Sequence, residues 1–148
     1  MFPLSDKRED NFLAGLSMGG YGALRNAMVY SENFSHVAGL SSALHLFEKD
    51  IEREFEGDLF DDMEKAAKTN LNPFVAFDKM RDEKRLMPKF YLACGTADDL
   101  YDINVKFRDH IKSGGADVTW DEDGSGHEWD FWDSQIRKVL DWLPLNEE

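Results

Sequence analysis

The sequence predicts an α/β protein, with a mostly parallel sheet flanked by helices, and three observations predict it. Short apolar runs alternate with longer segments whose apolar residues recur every three or four positions. The chain has 148 residues, 42% of them apolar and 13% aromatic, which suffices for one domain with its own core. The order strand, helix, strand recurs along its length, and such crossovers build parallel sheets with right-handed connections.

Asn11 to Leu16 is a short apolar run that reads as a buried strand. Gly19 to Met28 follows as a helix, with Leu24, Ala27 and Met28 at helical spacing and a break near Ser31-Glu32-Asn33. His36 to Ser42 reads as a second buried strand. From 45 to 85 the composition shifts to 12 acids and 8 bases, with breaks at Gly57 and at Asn70 to Pro73. That stretch is expected to be a helical cap inserted into the domain, its Leu46, Phe47, Ile51 and Phe55 lying near one helix face. Phe90 to Cys94 is the clearest strand. Ile103, Phe107 and Ile111 repeat every four residues, and Gly114-Gly115 ends their helix. Val118 to Trp120 is a fourth strand, and a last helix carries Trp129, Trp132, Ile136 and Leu143 before Pro144 stops it.

Charge narrows the function. Seventeen Lys and Arg against 30 Asp and Glu give a net charge of −13, which repels phosphate backbones and anionic membranes. Neither nucleic acid nor membrane is an expected partner. The longest apolar run is far short of the roughly 20 residues a spanning helix needs. One cysteine, Cys94, forms no internal disulfide, and Met1-Phe2-Pro3-Leu4 runs directly into charged residues with no leader pattern. A cytoplasmic location is the expectation.

The chemistry starts at Gly15-Leu16-Ser17-Met18-Gly19, a G-x-S-x-G motif placed where a strand turns into a helix. So sharp a turn strains the serine backbone and leaves no room for side chains two residues to either side. Ser17 then projects at a helix N-terminus, where the dipole favours developing negative charge. A serine hydroxyl is a poor nucleophile near neutral pH, so it needs a base, and the base needs an orienting carboxylate. Gly95-Thr96-Ala97-Asp98 follows the third strand and brings an acid to the same sheet edge, with Asp99 and Asp102 as alternatives. Gly124-Ser125-Gly126-His127 puts an imidazole on a loop before the last helix. His36, His45 and His110 sit in a strand, a charged segment and a helix, and read as structural or exposed. Asp121, Glu122, Asp123, Glu128 and Asp130 surround His127 in sequence and favour its protonated form.

No metal is expected. There is no H-E-x-x-H, and Asp121 to Gly124 lacks an acid at Thr119 where a calcium loop would begin. Gly20-Tyr21-Gly22 lacks the third glycine of a dinucleotide fingerprint, so no cofactor is expected either.

The run from Lys7 to Leu24, KREDNFLAGLSMGGYGAL, resembles the elbow region of the esterase D-like family of α/β-hydrolases, particularly bacterial tributyrin and acetyl esterases. Cys94 to Asp98 and Gly126-His127-Glu128-Trp129 resemble that family's acid and histidine segments. The resemblance implies an α/β-hydrolase fold and hydrolysis of short-chain acyl esters through an acyl-enzyme. Relatives of this kind act on S-formylglutathione, acetylated sugars or feruloyl esters. Carried over by position, Ser17 is the nucleophile, Asp98 the orienting acid, His127 the base, and the Met18 amide an oxyanion donor.

The departure lies at the front, where 16 residues precede Ser17. The family has roughly another hundred, with four more strands and a His-Gly loop supplying the second oxyanion amide. Residues 1–148 therefore read as the carboxyl-terminal portion of a single α/β-hydrolase domain. The strand at Asn11 to Leu16 is expected to be an open edge. A competing expectation follows, that the chain is a non-catalytic remnant which self-associates or binds a partner.

Overall fold

The computed structural model describes residues 5–47, 62 and 65–145. Four strands, β1 (Phe12–Leu16), β2 (His36–Leu40), β3 (Lys89–Ala93) and β4 (Val118–Asp121), form one sheet in the order β1-β2-β3-β4. Every pairing is parallel. The helices are α1 (Met18–Val29), α2 (Pro73–Asp82), α3 (Tyr101–Ser113) and α4 (Trp129–Trp142), with short 3-10 turns at Arg8–Asp10 and Leu44–Phe47.

Alternation along the strands sorts the core into two layers. Leu13, Val37, Phe90 and Leu92 face α1, α2 and α3, where Leu24, Met28, Phe77, Met80, Phe107 and Ile111 close the larger layer. Leu16, Ala38, Leu40, Tyr91 and Ala93 face the other way, against Phe131, Trp132 and Val139 of α4. A Val, Leu, Ile, Met or Phe side chain among them contributes about 1.5–3 kcal/mol when fully buried. Both faces of the middle strands are covered, which is why these strands read as continuous apolar runs rather than alternating ones.

Within the stretch 45–85, residues 48–61, 63 and 64 lie outside the described residues. Of the part that is described, residues 73–82 form a helix packed on the core. Asn72 caps α2 by accepting the Phe74 N–H on Oδ1 at 3.0 Å, and Pro73 takes the first helical turn, where its missing N–H costs nothing. The Asn-Pro pair thus starts a helix rather than merely breaking one. Pro73, Ala76, Phe77 and Met80 are buried, and Phe74 meets Phe107 edge-on at 5.1 Å. Residues 73–82 therefore belong to the layer beneath the sheet. Charged residues on the outer side of α2, among them Lys79 and Asp82, dominate its composition and hide the apolar stripe.

The register aligns Leu16, Leu40, Ala93 and Asp121 at the carboxyl edge of the sheet. Every loop that matters for chemistry leaves from that row. The outer edge of β1 pairs with no strand among the described residues. Beside it opens a cleft of about 440 Å³, walled mainly by Ala14, Leu16, Leu40, Trp129, Trp132 and Ile136. Among the described residues, no helix is long and apolar enough to cross a membrane, and no three His, Cys, Asp or Glu gather as a metal site.

Candidate active site

Ser17 sits between the end of β1 and the start of α1 with φ +52° and ψ −120°, a backbone conformation that L-residues rarely adopt. Its neighbours hold it there. The Ser17 N–H donates to Leu40 O at 2.9 Å, while its carbonyl accepts from Tyr21 N–H and Ala43 N–H. The turn is so tight that a Cβ at Gly15 would lie 2.2 Å from the Gly19 carbonyl oxygen. At Gly19 itself a Cβ would meet nothing. The second steric need falls one residue later, at Gly20, whose Cβ would lie 2.4 Å from Ser42 Oγ. Of the two glycines that flank the serine in the motif, only Gly15 is dictated by contact.

Asp98 leaves the loop after β3. Its own turn is closed by Asp98 N–H to Gly95 O, and Oδ1 accepts the Leu100 N–H at 2.9 Å, an Asx turn leading into α3. The carboxyl is buried, with its side chain 1% exposed. Burial pushes its pKa up, but the Leu100 amide, His127 and the Ser41 hydroxyl outweigh that and hold it below the ordinary value. Asp99 and Asp102, the alternatives in sequence, are exposed.

His127 arrives from the loop after β4, which is fastened to the Asp98 loop. Thr96 N–H donates to Asp123 O at 2.8 Å and Ala97 N–H to Ser125 O at 3.0 Å. Gly95 makes this contact feasible, since a Cβ there would lie 2.0 Å from Ser125 O. As a result His127 Nδ1 stands 2.9 Å from Asp98 Oδ2, and Nε2 stands 3.0 Å from Ser17 Oγ. An ionised carboxylate only accepts, so Nδ1 carries the proton and Nε2 is left to accept from the serine. Trp132 meets the imidazole edge-on at 4.7 Å, and Trp129 packs on Trp132.

The structure thus brings Ser17, His127 and Asp98 into one hydrogen-bonded series across 110 residues of chain. Met18 opens α1, so its N–H has no partner one turn back in the helix. Three of the acids near His127 in sequence have partners elsewhere. Asp121 takes Lys138 and Gln135, Glu122 takes Tyr101 and Trp120, and Glu128 takes the Gly126 amide. Of the three remaining histidines, His36 lies between Phe12 and Trp142, and His110 packs on Phe74 and pairs with Asp78 at 3.0 Å. Cys94 is buried beside Asp98, and burial raises its thiol to about 12, so it stays neutral.

Sequence reasoning missed the supports. Asn104, 1% exposed, clamps the loop after β2: its Oδ1 accepts Ser42 N–H at 3.1 Å and its Nδ2 donates to Ser42 O at 2.9 Å. Ser41 and Trp132 were legible only as a strand end and a core position. The one local signal was Asp98-Asp99-Leu100 ahead of a helix, which is an Asx-turn pattern.

A parallel sheet, a serine on its strand-to-helix turn and a histidine and acid converging on it from later loops define the α/β hydrolase class of fold. Within that class the chain belongs to the Esterase family, whose model matches residues 2–143. It is 37% identical over 153 residues to an acetyl esterase of Caldicellulosiruptor saccharolyticus, covering 97% of this chain and 58% of that one. Among solved structures it is similar to an S-formylglutathione hydrolase of Staphylococcus aureus, with a TM-score of 0.77, 30% identity, and 97% of this chain and 54% of that one covered. A fluorophosphonate-binding serine hydrolase of the same organism superimposes with a TM-score of 0.79 at 30% identity, covering 98% and 58%. The chain spans little more than half the length of these relatives.

Proposed function

We propose that this chain carries the reactive centre of a serine carboxylesterase of the esterase D-like type, acting on short-chain acyl esters through an acyl-enzyme. The observation that carries the reading is the series Ser17 Oγ, His127 Nε2, His127 Nδ1, Asp98 Oδ2, with links of 3.0 and 2.9 Å. The similarity to an acetyl esterase supports the small acyl group.

In the proposed reaction Ser17 Oγ attacks the ester carbonyl and passes its proton to His127 Nε2. Asp98, buried and ionised, holds the imidazole by Nδ1 and stabilises the imidazolium. Negative charge on the carbonyl oxygen accepts from the Met18 N–H, aided by the α1 N-terminus. The tetrahedral adduct collapses, the C–O bond to the alcohol breaks, and the alcohol oxygen takes the proton from His127. Water then gives a proton to His127 and attacks acyl-Ser17. The second adduct collapses, the bond from the acyl carbon to Ser17 Oγ breaks, the acid leaves, and His127 returns the proton to Ser17 Oγ. No step requires a cofactor.

Intact-mass analysis after treatment with a fluorophosphonate tests this without assuming a substrate. One adduct, on Ser17 and absent from Ser17→Ala, is expected, and Ser17→Ala should lower ester turnover by up to about 10⁶-fold. A folded chain that takes no label, or a Ser17→Ala variant that still turns over esters, would overturn the reading.

A further inference from the structure

The strained backbone of Ser17 persists only because its surroundings hold it, and two of the holds come from the end of β2 and the loop beyond. Leu40 O accepts the Ser17 N–H at 2.9 Å, and the Ala43 N–H donates to Ser17 O at 3.0 Å. Between those two residues the chain turns through Ser41, whose φ of +43° is left-handed, and Ser42. The last rungs of the sheet here are Ser17 N–H to Leu40 O and Ser41 N–H to Ala93 O. Where Ala43 stands therefore depends on what holds Ser42, and one side chain holds both of its backbone groups.

That side chain is Asn104, one turn into α3 and 1% exposed. Its Oδ1 accepts the Ser42 N–H at 3.1 Å, and its Nδ2 donates to Ser42 O at 2.9 Å and to Leu100 O at 2.8 Å. Two carbonyl oxygens and one N–H around the amide permit a single orientation, with both Nδ2 hydrogens used. Leu100 is also the residue whose N–H donates to Asp98 Oδ1 at 2.9 Å. A series of hydrogen bonds and short backbone links thus runs from the Asp98 carboxylate through Leu100, Asn104, Ser42 and Ala43 to the Ser17 carbonyl. We propose that Asn104 is a positioning residue that locks the Ser17 turn to the Asp98 turn, at the separation His127 bridges. The imidazole is a rigid spacer, bonded at 3.0 Å to Ser17 Oγ and at 2.9 Å to Asp98 Oδ2, so slack in either turn breaks one of the two bonds.

The kinetic arm of the test rests on the serine-esterase reading; the exchange arm does not. Asn104→Ser in the whole chain is compared with wild type for hydrolysis of p-nitrophenyl acetate and for amide hydrogen exchange. A serine hydroxyl there can still donate to the carbonyl one turn back, Leu100 O, but its stem is too short to reach Ser42. The expected result is a fall in kcat of about 10- to 100-fold with KM within about twofold, as for a reacting group misplaced by up to 1 Å. The Ala43 N–H should exchange at least about 10-fold faster while the Leu92 N–H in β3 is unchanged. Asn72→Ala is the control, because it removes another asparagine's bonds to backbone, at the start of α2, and touches neither turn. It should lower the unfolding midpoint and leave kcat alone. Should Asn104→Ser not fold, wild type supplies the measure: the Ser42, Ala43 and Leu100 amides should share one opening, with protection equal within about threefold.

Wild-type kcat in Asn104→Ser would overturn the proposal, as would unchanged exchange at Ala43, or a loss of kcat in Asn72→Ala as large as in Asn104→Ser. Wild-type protection that differs more than about 30-fold among the three amides would overturn it too. A wild-type chain that protects Ala43 but hydrolyses no ester and takes no fluorophosphonate would overturn the esterase reading instead. Exchange at Ala43 in Asn104→Ser would then still decide whether Asn104 holds the Ser17 turn.

Discussion

Gly95→Ala should separate the fold from the chemistry. The added Cβ would lie 2.0 Å from Ser125 O and 2.6 Å from Ser125 C, both of them backbone atoms. Moving the oxygen from 2.0 Å out to the 3.4 Å at which ordinary contact begins takes a displacement of about 1.4 Å, which no rotamer change can absorb. The atoms that move are two residues from His127, whose bond to Asp98 is 2.9 Å. A misplacement of that size costs on the order of 10²-fold in rate, and complete loss of the Asp98 contact about 10⁴-fold. The overpacking itself should cost only about 1–3 kcal/mol of stability. Gly22→Ala is the matched control, since its Cβ would meet nothing within 4 Å and the position is inside α1. It should gain about 0.5–1 kcal/mol and leave the rate alone. The assay is kcat for p-nitrophenyl acetate beside urea unfolding of the same samples. A Gly95→Ala enzyme with wild-type kcat would refute the claim that the contact between these two loops sets the His127–Asp98 geometry.

Two further outcomes are expected. Asp98 has its pKa held below 3.8 in the folded chain, so the unfolded chain binds that proton more readily. Its contribution to stability is therefore complete above the ordinary carboxylate range and lost as pH falls through the depressed value. Urea unfolding between pH 7 and 3 should show a smaller acid loss in Asp98→Asn than in wild type. Phe77→Ala should cost about 3–5 kcal/mol, because the ring is fully buried against Phe90 and Gly114 in the layer beneath the sheet. A loss under 1 kcal/mol would mean that residues 73–82 are a lid rather than core.

The strands and helices that frame the site were legible because their signals are local. Leu13, Val37 and Phe90 lie in the apolar runs that became β1, β2 and β3, each within a residue or two of the expected bounds. Ile103, Phe107 and Ile111 marked α3, and Gly115 follows it with φ +91°. Residues 73–82 are harder to read, because the acidic composition of the whole 45–85 stretch masks them. A window of ten residues starting at Asn72-Pro73 carries both the cap and the apolar stripe. The apolar run of β2 reads on to Ser42 whereas the strand ends at Leu40, because nothing in the sequence shows that Ser41 turns left-handed.

The sequence by itself determined that a serine stands at a strand-to-helix turn, since strand periodicity, a following helix and the clearance at Gly15 are all properties of a dozen adjacent residues. It also narrowed the partners to one histidine and a small group of acids. Only the tertiary structure decided that Asp98, and not Asp99, Asp102 or the acids flanking His127, meets the imidazole, and that Trp132 stands edge-on against it. Those choices depend on the register that lines up Leu16, Leu40, Ala93 and Asp121, and on the fastening of two loops about 30 residues apart through Gly95. Hydrogen bonds act over about 3 Å, and which atoms fall within that reach is fixed by packing between distant segments rather than by neighbours in the chain.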